Sequence, residues 1–318
     1  MAQSSALQVI GRRLLQAAPV IVLATFIVFG LVKLLPGDVA VTLAGDNATD
    51  QRIEEIRRIY GLDRPFLVQY GAWLMKAVQG DLSKSILSGE AVLTSIARCF
   101  PHTLLIVTMA LALALIVGVP LGAAAAARPN GFIDRVAMTL ASIGIAVPNF
   151  WLAMILVSLF ALRWNIFPAT GATAFSASPS DAIAHATLPA LALAAGGMAE
   201  VARQVRGALL DVMSSQFVRT LRAKGLKTST ILWRHGLKNI AVNLLTVTGL
   251  LFNRLLAATV VVEAVFAIPG MGGLIVHAAI QRDFTVVQGV VFAMVIVVIL
   301  VNLVTDVLCA AVDPRIGR

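Results

Sequence analysis

The sequence predicts an all-α membrane protein of six transmembrane helices with both termini in the cytoplasm. Three observations carry that reading. The chain of 318 residues is 59% hydrophobic and only 13% charged, with a mean hydropathy of +0.90; a soluble domain of this size needs charge on about a quarter of its residues. The apolar excess is gathered in blocks of at least about 18 residues, the length that crosses about 30 Å of hydrocarbon at ~1.5 Å per residue. The basic residues behind the net charge of +9 fall in short connections between those blocks. There they set orientation rather than form a nucleic-acid patch.

The first block follows Arg12 and Arg13 and runs from Leu14 to Val32. That exceeds the roughly 7–15 apolar residues of a signal peptide, so an uncleaved first span is expected over 9–35. Residues 36–102 are too long for a plain loop. Within them TDQRIEEIRRIY, at 49–60, reads as an amphipathic helix capped by Thr49 or Asp50. Ile53, Ile56 and Ile59 share its apolar face, and Gly61 ends it. The second span, 103–127, carries no charge, and the third covers 136–162. The fourth, 186–206, follows His185 and holds Pro189 and the Gly196–Gly197 pair, small residues that suit close helix packing. The fifth and sixth cover 239–262 and 284–310, and Pro120, Pro148 and Pro189 mark kinks.

Orientation follows from the connections. Arg128 and Arg135 stand against Asp134 in one. In the 203–238 connection Arg203, Arg206, Arg219, Arg222, Lys224, Lys227, Arg234 and Lys238 stand against Asp211 alone. The alternating connections hold Arg163 with Asp181, and Glu263 with Arg282 and Asp283. The basic connections are therefore cytoplasmic, and an even number of spans puts both termini there. The chain divides into a first span with a long external segment (1–102), a five-span core (103–310) with its cytoplasmic loop at 207–238, and a tail (311–318). Cys99 and Cys309 fall on opposite faces in this topology, so neither a disulfide nor a metal site is implied.

The 207–238 loop is the most informative stretch. Ser214 or Ser215 can cap a helix whose Phe217, Val218 and Leu221 form an apolar face, with Arg219 and Arg222 pointing elsewhere. Lys224 suits the last turn, and Gly225 the left-handed position after it. Thr228 or Ser229 can cap a second helix running through Trp233 into the fifth span. Such an elbow is either a surface for a cytoplasmic partner or a basic helix lying on anionic lipid.

FVRTLRAKGLKTSTILWRHGLKN, at 217–239, resembles the coupling loop of ATP-binding-cassette importer permeases, whose general pattern is Glu-Ala-Ala, three residues, then Gly. Gly225 matches the glycine; Arg219-Thr220-Leu221 fills the triplet, and Lys238 replaces the terminal proline, departures that match the peptide branch. LPGD at 35–38, GLDRPFLVQY at 61–70, QGDLSKS at 79–85, VVEAVFAIPGMGGL at 261–274, RDFTVVQG at 282–289 and the terminal DPRIGR are similar to the first permease of dipeptide, oligopeptide and nickel importers. Thr285 departs from a usual proline. The resemblance implies a type I importer permease of the inner membrane, with a homologous second permease, two ATPases and an extracytoplasmic binding protein as partners. It assigns ATPase coupling to Phe217, Val218, Arg219, Leu221, Arg222, Lys224 and Gly225.

No GxxxxGK[ST] occurs, and GLKTST at 225–230 lacks the order that cradles phosphate, so no cofactor is expected on this chain and ATP with Mg belongs to the partners. The scattered histidines and the lack of HExxH or GxSxG leave an intramembrane enzyme remote. Arg254, in the middle of the fifth span, either lines the pathway toward a substrate carboxylate or pairs with the partner subunit. Glu263 stands about 13.5 Å further along the helix, at the outer end of the fifth span, as a pathway residue or an interfacial one. The alternatives are the same fold carrying nickel chelates, glutathione or opine-like conjugates, and an ATP-independent secondary transporter or channel.

Overall fold

The computed structural model describes residues 2–34, 39–44 and 48–313; LPGD at 35–38 and the last five residues of DPRIGR lie outside that range. The described chain is mostly helical, and its one β pairing is an isolated antiparallel bridge between Lys84 and Ala91. The helices are α1 (Ala2–Leu34), α2 (Val39–Ala44), α3 (Asp50–Tyr60), α4 (Phe66–Val78), α5 (Val92–Ala127), α6 (Phe132–Ala146) and α7 (Asn149–Leu156), the last continuing as a π-helical stretch to Arg163. Then come α8 (Pro179–Met213), α9 (Gln216–Ala223), α10 (Thr228–Thr230) with a π turn over Ile231–Gly236, α11 (Leu237–Asn239), α12 (Ala241–Val265), α13 (Met271–Ile280) and α14 (Phe284–Val312).

Among the described residues four helices are long and apolar enough to cross a membrane: α5, α8, α12 and α14. The third expected span is not one helix. It breaks between α6 and α7, whose axes turn by 96°. Proline explains the site of the break, because Pro148 has no N–H to give and its ring drives the preceding residue out of helical geometry; Val147 is extended at φ −77°, ψ 122°. Pro120 and Pro189 lie inside α5 and α8, which run on unbroken. The uninterrupted apolar stretch described in α1, Ala18–Leu31, is shorter than the other spans.

The chain forms two compact units. One comprises Met1–Arg13, Pro101–Pro269 and Leu300–Arg318, and the other Leu14–Phe100 and Gly270–Ile299. In the first, α8 is the centre, packing against α6, α7 and α12, with Leu188, Leu193, Val201 and Leu209 out of contact with the surroundings. In lipid the hydrophobic effect does not drive helices together, so close packing must. Gly118 and Gly122 of α5 provide it: a Cβ at Gly122 would stand 2.4 Å from the Ala202 carbonyl oxygen, and one at Gly118 would stand 2.8 Å from that of Met198. No other residue fits either position.

In the second unit an aromatic cluster of Phe26, Phe29, Phe66, Tyr70, Trp73 and Phe292 joins α1, α4 and α14. The segment between α4 and α5 is held by the N-terminus of α14: Asp283 accepts from the Ser85 hydroxyl and from the backbone N–H of Ile86 and Val286, both at 3.3 Å. Two strings singled out in the sequence, QGDLSKS and RDFTVVQG, thus meet in one contact. A third, GLDRPFLVQY, is a turn leading into the first residues of α4: Gly61 ends α3 in the left-handed region at φ 64°, and the Gln69 amide donates to the carbonyls of Leu62 (3.0 Å) and Arg64 (2.7 Å). The expected apolar face of α3 is narrower than the spacing suggests, since Ile56 is buried but Ile59 is exposed.

Candidate functional site

The elbow between α8 and α12 folds as a helical hairpin. Ser215 takes the N-cap position of α9 in extended geometry, although its hydroxyl donates back to the Val212 carbonyl at 2.5 Å rather than capping α9. Gly225 follows α9 at φ 80°, as the sequence indicates, and nothing lies within 4 Å of where its Cβ would be. Its N–H donates to the Arg222 carbonyl, and the Leu226 N–H to that of Leu221, closing the last turn. The second arm begins one residue earlier than expected: Lys227 is the cap residue, with Thr228 already in the helix.

The apolar face of α9 splits in two. Val218 is fully buried within the chain and Leu221 is half-buried, whereas Phe217 is 39% exposed. The second arm adds the buried Ile231, Leu232 and Ile240. Gly236 packs so closely on α8 that a Cβ there would lie 2.9 Å from a Leu209 methyl. Val218 and Leu221 therefore turn toward the rest of the chain, and Phe217 is the most exposed of the three apolar side chains of α9. The outward surface is Phe217, Arg219, Thr220, Arg222, Lys224 and, from the second arm, Trp233 and Arg234.

Two turns before the end of α8, Arg206 makes a two-pronged ion pair with Asp134 at the start of α6, Nε to Oδ1 at 2.5 Å and Nη2 to Oδ2 at 2.7 Å. The Asn130 N–H donates to the same carboxylate at 2.8 Å. The Asp134 side chain is almost wholly buried, so a buried charge is matched by three donors. This clasp fixes the end of α8 from which the elbow departs.

The second part of the site is a row of polar side chains at span depth. Arg254 of α12 is ion-paired with Glu200 of α8, a carboxylate that sequence reasoning passed over although it interrupts the fourth span. Arg254 thus has a partner within its own chain and stays more than half exposed on it. Gln204, one turn after Glu200, donates to Asn243 of α12 at 3.2 Å, and Asn253 donates to Asn302 of α14 at 2.8 Å. Arg254, Gln204 and Asn243 are exposed on the single chain. Glu263 behaves differently: it has no exposed surface and accepts from the Thr103 hydroxyl of α5 at 2.6 Å. It is an interhelical tie between α5 and α12 in the described conformation. Among the described residues no group of three metal-ligating side chains comes together.

Several apolar spans, polar side chains strung along two of them and a hairpin set between two spans define a membrane transport subunit. The chain belongs to the family described as binding-protein-dependent transport system inner membrane component. That family's profile matches residues 118–318, and a companion profile for the N-terminal part matches residues 6–110. It is therefore an inner-membrane permease of the ATP-binding-cassette importers. It is 36% identical over 308 residues to the oligopeptide transport system permease protein AppB of Bacillus subtilis, covering 96% of this chain and 98% of that one. It is 38% identical over 305 residues to the glutathione transport system permease protein GsiC of Escherichia coli K12, covering 96% and 97%. Its fold is similar to a chain in inward-facing conformations of the MetNI methionine ABC transporter, with a TM-score of 0.58 at 20% identity, covering 70% of this chain and 97% of that one.

Proposed function

We propose that this chain is the permease subunit of an ATP-driven importer of small peptides, crossing the membrane six times with both termini in the cytoplasm and forming half of the translocation pathway. A homologous permease forms the other half. Two ATPases carrying ATP and Mg engage the elbow, an extracytoplasmic protein delivers substrate, and no ATP is hydrolysed on this chain. Residues 103–310 are the working core. The relatives named for oligopeptide and glutathione transport support the peptide class.

The elbow carries this reading. Its second arm is packed on α8, where Gly236 meets Leu209, and its exit turn is set by Gly225, so force applied to its outward face has a packed route to α8. Phe217 is the apolar anchor that remains outside, ringed by Arg219, Arg222 and Lys224. Burying it in an ATPase groove contributes on the order of 1.5–3 kcal/mol before entropy costs. Rigid-body motion passed through such a contact is what alternating access requires. In the pathway, the Arg254–Glu200 pair offers both charge signs, as the two ends of a zwitterionic peptide require.

The test is co-purification of the ATPases with a Phe217→Asp variant, which keeps Val218 and Leu221 and so leaves the hairpin seated. Loss of the ATPases and of substrate-stimulated hydrolysis, with insertion unchanged, is the expected result. Full retention of both, with normal uptake, would overturn the coupling role and leave the lipid-surface reading of this helix.

A further inference from the structure

We infer that α4, although it belongs to the long segment between the first two spans, is immersed in the outer half of the bilayer and presents its free face to lipid acyl chains. The observation is a helix that is apolar on its buried side and, Lys76 apart, on its exposed side too. Tyr70, Trp73 and Ala77 are buried, yet Leu67, Met75 and Val78 are 68%, 65% and 72% exposed. So wide an apolar surface belongs inside a large core or a membrane, and within the chain nothing covers the second side. Its neighbour α3 shows what water demands of the same segment: paired charges, Arg52 to Glu55 at 2.7 Å and Arg57 to Glu54 at 3.3 Å, on an exposed face.

The partners of α4 set its depth. Phe66 meets Phe26 and Phe29 with ring centroids 5.4 Å apart, and the Tyr70 hydroxyl donates to the Val22 carbonyl at 2.8 Å and pairs with the Thr25 hydroxyl at 2.9 Å. Along α1, Val22 stands roughly 16 Å from Lys33 and roughly 13 Å from Arg13, the charges that bound the apolar stretch. Phe26 and Phe29 stand roughly 6–10 Å inside Lys33. A helix crossing α1 there lies below the headgroups.

The remaining polar groups of α4 permit this. Gln69 spends its amide on the Leu62 and Arg64 carbonyls, and the carbonyls of Lys76 and Ala77 receive the N–H groups of Gln79, Gly80 and Asp81. Closed backbone groups are what hydrocarbon requires. Lys76, its one charge, has a stem long enough to reach the headgroups. Leu23 and Ile27 of α1, the helix on which α4 packs, are likewise exposed on the single chain. Apolar side chains held at that depth meet acyl chains, and the commitment is therefore to lipid rather than to a second protein.

This inference rests on α1 crossing the membrane, and the test separates the two. In the complete importer in lipid vesicles, with Cys99→Ala and Cys309→Ala as background, a nitroxide is attached in turn at Leu67→Cys, Met75→Cys and Val78→Cys. Leu23→Cys on α1 and Glu55→Cys on α3 are the references. The expected result is that collisions with oxygen exceed those with a water-soluble nickel chelate at 67, 75 and 78, as at 23, with the order reversed at 55. Nickel collisions dominating at 75 and 78 while 23 remains lipid-like would overturn the inference alone. Low collision rates with both reagents would overturn it in favour of a protein cover. A water-like result at 23 sinks the crossing of α1, and α4 is then judged on its own three positions.

Discussion

Arg206 and Arg254 each meet a carboxylate across a helix pair, and their surroundings give them opposite roles. The Asp134 side chain beside Arg206 is 4% accessible and the arginine 24%; at Arg254 the arginine is 57% accessible and Glu200 30%. Removing one partner of a buried pair strands the other, at a cost on the order of 3–5 kcal/mol, while an open pair contributes about 0–1 kcal/mol. Arg206→Ala is therefore expected to lower the thermal stability of the purified complex sharply. Replacing both partners by apolar residues of similar size, as in Asp134→Leu/Arg206→Met, recovers much of that loss. Arg254→Ala is expected to leave stability unchanged and to reduce uptake of a peptide bearing a free carboxylate more than uptake of its amide. Dissociation of the Arg254→Ala complex on purification, measured by size exclusion, would make that arginine a structural residue.

At the scale of elements, the segment from Gly80 to Ala91 shows how short-range chemistry orders a loop without secondary structure. The Ser85 N–H donates to the Glu90 carbonyl at 2.8 Å, and the Arg98 guanidinium grips the Glu90 carboxylate with two bonds of 2.9 Å. Arg98 first, and then the Ser95 hydroxyl, hold the Glu90 carboxyl below its ordinary value of 4.5. A depressed value means the grip is complete above the unfolded-state value and is lost as pH falls through the lower folded-state one. A nitroxide at Leu87→Cys is thus expected to stay immobile at neutral pH and to gain mobility only in acid, below the ordinary carboxylate range. In Glu90→Gln it is mobile throughout; an immobile label in that variant would show that Asp283 alone orders the loop. Much of the elbow was legible in the sequence, because Gly225 and the start of α9 are local matters of dihedral angle. The break at Pro148 was legible as a place but not as a right angle, since its size depends on how α6 and α7 both pack on α8. The pairing of Glu200 with Arg254 and the split of the α9 face were not legible: both depend on which side of a helix meets a neighbour, and that is decided by tertiary packing.

For the whole molecule the open matter is what the bent pair of α6 and α7 does. Each arm of 15 residues, Phe132–Ala146 and Asn149–Arg163, is about 22 Å long, too short to cross alone. With a turn of 96° between them, the far ends stand about 30 Å apart, so the pair reaches across the hydrocarbon only if both arms tilt. A hairpin that enters and leaves by one face is the other geometry. The two differ in what they do to everything downstream, because losing one crossing inverts α8, α12 and α14. Inversion would carry Arg219, Arg222, Lys224, Lys227, Arg234 and Lys238 across the membrane, against the strong preference of short basic connections for the cytoplasm. It would also place the elbow away from any ATP. Reporter fusions after Ser178 and after Lys227 decide between them: the crossing predicts the first outside and the second in the cytoplasm. A fusion at Arg135 should agree with the one at Lys227 in either orientation of the chain. If the Ser178 and Arg135 fusions instead report the same side, the pair is re-entrant and the six-span topology fails; if that side is the cytoplasm, the elbow cannot be the coupling element.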